Sequence, residues 1–131
     1  MRRPYIAEAT IEPGTGVVQG SEENKITTPG DEGEGDFIGV YAFEANDRKE
    51  AGDQVGIAIS GVAKILAGAN VLAGKKAVLK PDNSGEFITL PEAAGQYATC
   101  GTFLQTGASG EYVDMIIEHG SVTVPAVGGG E

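Results

Sequence analysis

The chain contains no tryptophan, one cysteine and one histidine, and aromatic residues make up only 6% of it. A single cysteine cannot form an internal disulfide, so nothing in the sequence implies an oxidising compartment. Nine basic residues against nineteen acidic ones give a formal net charge of -10. Because nucleic-acid binding usually requires a basic surface and often stacking aromatic side chains, we predict no nucleic-acid partner.

Long apolar runs are also missing. No segment is long and apolar enough to span a bilayer, so we predict no membrane partner. The first five residues are basic but have no apolar segment behind them, and we therefore expect no signal peptide and assembly in a cytoplasm. A chain of 131 residues is long enough for one domain with a modest core.

Glycine is abundant, with 21 residues, about twice its average share, which favours short strands joined by tight turns. The segment 51–79 shows the pattern best, since Val55, Ile57 and Ile59 alternate with small residues as in a half-buried strand. Apolar residues from Val62 to Leu72 also fit helical spacing. The glycines within and beside this segment would each cost a helix about 1 kcal/mol relative to alanine, so strands and turns are favoured.

One β-unit occurs twice in the sequence. Residues 52–61 resemble residues 110–120, because each begins with glycine, an acid, one further residue and valine. The preceding segments, 37–43 and 97–103, match more loosely. Each copy predicts the same order of elements, which is a strand, a polar loop, a turn and a long strand. The turn consists of a small residue, a glycine and an acid. We therefore predict an all-β fold in which two related units close one small barrel or sandwich.

Residues 20–124 are predicted to form this domain, with a flexible tail at 125–131 and a single helical turn within 91–95. Residues 1–19 have a strand pattern with little bulk to bury. Two interpretations stay open. The segment is either an extended arm that pairs with a sheet edge of its own or a neighbouring molecule, or an ordinary first strand.

The acidic segment 31–36 raises a calcium hypothesis. An EF-hand loop that began at Asp31 would need oxygen ligands at its third, fifth and twelfth positions, which are Gly33, Gly35 and Ala42. The spacing fails. A solvated surface loop is the favoured interpretation, a weak cation site is the lesser alternative, and no metal site is predicted.

We find no catalytic constellation. The glycine-rich segments have the wrong spacing for phosphate-binding motifs, and no pair of acids stands out. Cys100 and His119 are the only residues of their types, and a small core cysteine is favoured over a nucleophile–base pair. The sequence therefore predicts a protein that is not an enzyme and has no cofactor.

Several glycine-and-valine motifs together resemble a known family. They are Phe37-Ile-Gly-Val, Ala51-Gly-Asp-Gln-Val-Gly-Ile-Ala-Ile-Ser-Gly-Val-Ala, Leu72-Ala-Gly-Lys, Gly95, Gly101 and Gly110-Glu-Tyr-Val-Asp-Met-Ile-Ile. The pattern, which covers roughly residues 26–117, is similar to the capsid decoration, or capsid cement, proteins of tailed bacteriophages. The long acidic segment before Phe37 departs from it.

This resemblance implies a small β-barrel or β-tulip domain that binds the outer capsid surface of a virion and cements subunits of the major capsid protein. Homotrimers at three-fold and quasi-three-fold positions are the implied arrangement. In that setting residues 1–19 become a candidate attachment segment, in which two of the nine basic residues precede a strand. The candidate contact residues are Arg2, Arg3, Tyr5, Ile6 and Ile11. The main alternative is a small-molecule or carbohydrate-binding β-module, and an enzyme of unfamiliar type is third.

Overall fold

The computed structural model describes residues 2–42 and 47–125, with the backbone alone for Arg2 and Arg3. Every regular element in these residues is a strand, which confirms the all-β prediction. In the same ranges there is no helix of a length and polarity that would cross a membrane. Residues 92–94 form bends in place of the predicted helical turn within 91–95. The strands are β1 (Arg2–Ala7), β2 (Thr15–Gln19), β3 (Lys25–Thr27), β4 (Phe37–Tyr41), β5 (Gln54–Ala58), β6 (Gly61–Leu66), β7 (Lys76–Leu79), β8 (Phe87–Thr89), β9 (Gly95–Phe103) and β10 (Tyr112–Val124).

The first five strands close into a barrel in the order β1-β3-β2-β4-β5, in which β1 runs parallel to β3 and antiparallel to β5. The other five form a sheet in the order β6-β10-β9-β7-β8. Because the barrel is closed, its strands can also be listed from β1 in the opposite direction, which gives the order β1-β5-β4-β2-β3. The two halves therefore have the same strand order, and we call β1–β5 the first unit and β6–β10 the second unit.

The turns confirm that the units are copies of one structure. Gly52 and Gly110 both have positive φ angles, of 95° and 89°, a conformation that glycine adopts without steric cost. In each turn the acid that follows, Asp53 or Glu111, accepts a hydrogen bond from the backbone N–H three residues earlier, at 2.8 and 2.7 Å. The short repeat visible in the sequence is thus part of a duplication that covers both units.

The buried side chains of the first unit correspond to those of the second. Each unit encloses apolar residues at equivalent positions in and beside its strands, as expected if both fold by burying the same face. The two clusters are not separate, because Val40 and Ala58 of the first unit pack into the cluster of the second. The structure is therefore one small domain. The equivalent core residues are Ala7, Ile11, Val17, Ile26, Tyr41, Val55 and Ile57 in the first unit and Ala67, Val71, Ala77, Phe87, Phe103, Val113 and Met115 in the second.

Aromatic and polar contacts join the units. The rings of Phe37 and Phe87 meet edge to face with centroids 6.2 Å apart. His119 projects from a bulge in β10, where its Nε2 lies 2.9 Å from the carbonyl oxygen of Ile38 and its ring centroid lies 5.1 Å from that of Phe37. His119 thereby joins β10 of the second unit to β4 of the first.

The structure corrects the interpretation of residues 1–19 as an arm. Strand β1 pairs with β5 along Arg2–Ile6 and with β3 at Ile6 and Ala7, and β2 lies between β3 and β4. Ala7 and Ile11 are fully buried in the barrel core. A segment that pairs with two strands of its own barrel and supplies core residues is part of the domain and not an appendage to it. The alternative interpretation, an ordinary first strand, is the one observed. Of the predicted tail at 125–131, residues 126–131 lie outside the described part of the chain.

Candidate functional site

A cleft of about 450 Å³ opens where β7 and β9 separate, and we call it the β7–β9 cleft. The two strands pair at Lys76–Thr102 and Ala77–Gly101 and no further, although β9 begins six residues earlier, at Gly95. The cleft is lined by Glu32, Gly33, Glu34, Gly35, Phe37, Val78, Leu79, Pro81, Ile88, Pro91, Gln96, Tyr97, Ala98 and Cys100.

The first unit is closed at the equivalent place. There β2 and β4 pair at Val17–Gly39, which corresponds to Ala77–Gly101, and they continue past a bulge to Val18–Phe37. The second unit lacks that last pair. Since both units share one strand order and one core pattern, the fold does not require the ladder to open, and the β7–β9 cleft is specific to the second unit.

The second unit also has longer strands on one side of the cleft. Residues 95–98 of β9 pair with residues 121–124 of β10, beyond the last residue of β10 that pairs with β6, Ile117. Tyr97 lies opposite Val122 in this ribbon, and the Tyr97 hydroxyl donates a hydrogen bond to the carbonyl oxygen of Ala93 at 2.9 Å. The ribbon therefore forms one wall of the cleft.

The strand edge of β9 faces the cleft. Backbone amides along a strand alternate between its two edges. The Phe103 amide donates a hydrogen bond to the carbonyl oxygen of Lys75, on the β7 side of β9. By this alternation, the amides of Gly101, Thr99 and Tyr97 point to the same side. Among the described residues no strand pairs with this edge before Gly101. An open strand edge is a template for another extended segment.

Two carboxylates and no basic side chain line the cleft. The Glu34 carboxylate accepts a hydrogen bond from the backbone N–H of Glu32 at 2.9 Å. This bond, together with one from its own backbone N–H, lowers the pKa of Glu34. Hydrogen bonds to a carboxylate favour its charged form, so this wall of the cleft stays negative at neutral pH and somewhat below.

The acidic segment 31–36 is an irregular loop whose residues are mostly exposed, as the solvated-loop interpretation predicts. Its contribution to the structure is the acidic wall of the β7–β9 cleft, which residues 32–35 form. Across residues 2–42 and 47–125, no three acidic, histidine or cysteine side chains converge in a way that would hold a metal ion.

The structure brings the segments of Cys100 and His119 together. The bulge of β10 that contains His119 lies opposite Cys100, which is on β9. Burial raises the pKa of the Cys100 thiol to about 12, opposed only in part by a hydrogen bond from the Leu79 backbone. Nucleophilic attack requires the thiolate, which is therefore scarce at neutral pH. His119 directs its Nε2 at a carbonyl oxygen of β4. The arrangement matches a buried core cysteine.

The candidate contact residues of the N-terminal segment are spread over different environments. Tyr5 and Ile6 are half-buried, and Tyr5 packs against the barrel core. Ile11 is fully buried and belongs to the barrel core, so it is not available to a partner at the surface. The side chains of Arg2 and Arg3 lie outside the described residues, and their contribution to binding stays a prediction.

Sequence reasoning missed the β7–β9 cleft. It predicted strands at 77–79 and 86–89 and near 97–103, but strand patterns do not show where two neighbours stop pairing. The repeat in the sequence gave no usable signal. Its loose match of residues 37–43 with 97–103 is displaced by two residues from the structural equivalence of Gly39 and Gly101. The strand pattern at 121–124 follows the second copy just as that of β6 follows the first.

No protein-family model and no curated protein matches the chain. Among solved structures, the chain is similar to the N base of head fiber gp8.5 of bacteriophage phi29, with a TM-score of 0.63 and 13% sequence identity. The match covers 90% of this chain and 93% of that chain. At this identity the likeness establishes a shared fold across nearly the whole length of both proteins.

Proposed function

We propose that the chain is a non-catalytic structural protein of a bacteriophage head, which binds the outer surface of the icosahedral shell and cements neighbouring subunits of the major capsid protein. The observation that carries this proposal is the nearly full-length likeness to the base of a phage head fiber. The motifs around Phe37, residues 51–63 and residues 110–117 point independently to phage decoration proteins. Fold and sequence pattern thus support the same class of partner.

The physical character of the domain supports the same role. A protein that coats a shell meets one surface many times over, so weak individual contacts suffice when several copies or subunits act together. The net charge of -10 disfavours the DNA-filled interior, where like charges repel, and favours the outside of the shell. We propose homotrimers at three-fold and quasi-three-fold positions as the arrangement on the shell.

The test uses purified shells of the phage whose genome encodes this chain, prepared without it. We expect the protein to sediment with the shells to a fixed number of copies, and decorated shells to withstand higher temperature than bare ones. Bovine serum albumin, which is also acidic, serves as the control for non-specific adhesion. Absence of saturable binding contradicts the proposed function. Binding without any gain in shell stability contradicts the cementing role alone.

A second candidate function is a small-molecule or carbohydrate-binding β-module. One observation favours it, the β7–β9 cleft, which is mostly apolar and has the size of a ligand pocket. A glycan array probed with the labelled protein tests this candidate. Binding to one glycan that an Ala98→Trp substitution abolishes favours it, and the absence of such binding counts against it.

A further inference from the structure

We infer that the β7–β9 cleft docks an extended segment of the partner protein, which adds as a strand to the open edge of β9 and carries a basic side chain. The inference rests on the proposed function for the identity of the partner, a shell subunit. It adds the surface by which this chain attaches and the chemistry of the segment that it recognises.

The backbone provides the first argument. Tyr97 and Thr99 direct their amides to an edge without a strand partner among the described residues. An extended peptide satisfies such an edge with its own backbone, as in other recognition modes that use strand addition. Because β9 is held on its other side by β10 from Gly95 to Phe103, the accepting strand is already ordered. A preformed edge lowers the entropy cost of binding.

The side chains provide the second argument. Ile88, Pro91 and Tyr97 line the cleft and are half-buried, so their apolar surfaces are only partly covered within this chain. Alternate side chains of an added strand point to the same face. One or two of them would therefore enter the cleft, and the buried apolar area stabilises the complex.

Charge selects the occupant. Glu32 and Glu34 line one wall, and no lysine or arginine lines any part of the cleft. A lysine or arginine on the incoming segment would face these carboxylates, which steers association and fixes the register. A second copy of this chain is disfavoured, because each copy has a net charge of -10. Residues 126–131 are disfavoured as well, since they contain no basic residue.

The first experiment measures binding to shells with two cleft variants. Glu32→Lys reverses one charge of the wall, and Ala98→Trp places a large ring in the cleft at an exposed position. Glu23→Lys and Ala51→Trp are the matched controls, because both residues are exposed and lie outside the cleft. We expect about tenfold weaker binding for the cleft variants and unchanged binding for the controls. All four should melt as the wild type does.

The outcomes separate this inference from the proposed function. If the wild type binds shells and the two cleft variants bind equally well, the docking site is wrong and the proposed function stands. If the wild type does not bind shells, the proposed function fails. Peptide binding to the cleft then tests the docking site by itself.

The second experiment therefore uses two heptapeptides, one alternating valine with lysine and one alternating valine with glutamate. We expect the lysine peptide to shift the amide NMR signals of residues 95–99 in isotope-labelled protein, and the glutamate peptide to leave them unchanged. Ala98→Trp should abolish the shifts. Equal shifts with both peptides, or none with either, overturn the inference. Shifts that arise from raising the protein concentration alone identify a second copy as the occupant and also overturn it.

Discussion

At the scale of single residues, the two units share a steric requirement at Gly39 and Gly101. A Cβ atom at Gly39 would collide with the carbonyl oxygen of Ala58, and one at Gly101 would collide with that of Ile116. These positions are equivalent in the two units, and the clashing atoms belong to backbone, which moves only if the strands separate. Both glycines therefore allow neighbouring strands to cross closely, a use of glycine that depends on its missing side chain.

We expect Gly39→Ala to lower the free energy of unfolding by about 2 kcal/mol or more, because relief of the clash displaces β5 from β4. Gly56→Ala is the matched control, since a Cβ there meets no atom within 4 Å. It should be neutral or raise stability by about 0.5 kcal/mol, because alanine has fewer unfolded conformations to lose. Urea unfolding followed by fluorescence or circular dichroism compares the two. Equal stability of both variants contradicts the close crossing of β4 and β5.

Cys100 makes stability depend on pH in the alkaline range. Burial raises its folded pKa from 9.0 to about 12, so folding favours the protonated thiol. This contribution is complete below about pH 9 and is lost as the pH rises toward about 12, with a slope of about 1.4 kcal/mol per pH unit. Unfolding free energies of wild type and Cys100→Ala should therefore converge across this range. Parallel curves would show that the thiol titrates normally.

At the scale of elements, β1 completes the barrel and is not an appendage. Removal of residues 1–19 takes away β1 and β2, exposes the edges of β3, β4 and β5, and uncovers Tyr41 and Ile57 of the core. We expect the truncated chain to lose cooperative melting, as measured by calorimetry. A double variant, Arg2→Gln with Arg3→Gln, keeps the strands and should melt as the wild type does. A truncated protein that still melts cooperatively would contradict the barrel topology.

The same double variant tests the attachment prediction for Arg2 and Arg3 apart from folding. If these side chains bind an acidic patch on the shell, their loss should weaken binding in dilute buffer and have less effect at high salt, where exposed charges are screened. Sedimentation with shells at the two salt concentrations measures this. Unchanged binding in dilute buffer removes both residues from the candidate contacts.

The elements also show what the sequence predicts and what it does not. Alternation of apolar and small residues predicted most strands, because one face of each is buried. The turn at Gly52 and its copy at Gly110 were visible, since positive φ and a following acid leave a local signature. The sequence did not show which strands pair with each other or in which register. The pairing of β1 with β5 joins residues about 50 positions apart, and no local pattern specifies such a contact.

The candidate site was hidden for the same reason. The β7–β9 cleft exists because two strands stop pairing after Ala77–Gly101, a difference between units that share their core pattern. Its lining comes from four separate parts of the chain, among them the acidic loop, which the sequence marked only as solvated. A site made by the absence of pairing leaves no motif, and the duplication reveals it only once both units are compared in three dimensions.

At the scale of the whole molecule, net charge opposes self-association. Each copy has a net charge of -10, so association of three copies in solution works against their mutual repulsion. The large apolar side chains that are exposed in the described residues, Val62, Leu72, Leu104 and Tyr112, belong to different strands and loops. If the chain coats a shell as proposed, the repeated surface of that shell aligns the copies and adds contacts that offset their mutual repulsion.

We therefore expect monomers in dilute low-salt solution and trimers on the shell. Salt should shift the solution equilibrium toward trimers, because the screening length falls from about 30 Å at about 0.01 M to about 3 Å at about 1 M. Light scattering at the two salt concentrations measures the first part, and a map of decorated shells measures the second. A trimer that persists in dilute low-salt solution would show that apolar contacts outweigh the repulsion. Density for isolated copies away from every three-fold and quasi-three-fold position would contradict the trimer itself, because no arrangement of three copies around such an axis could then produce the map.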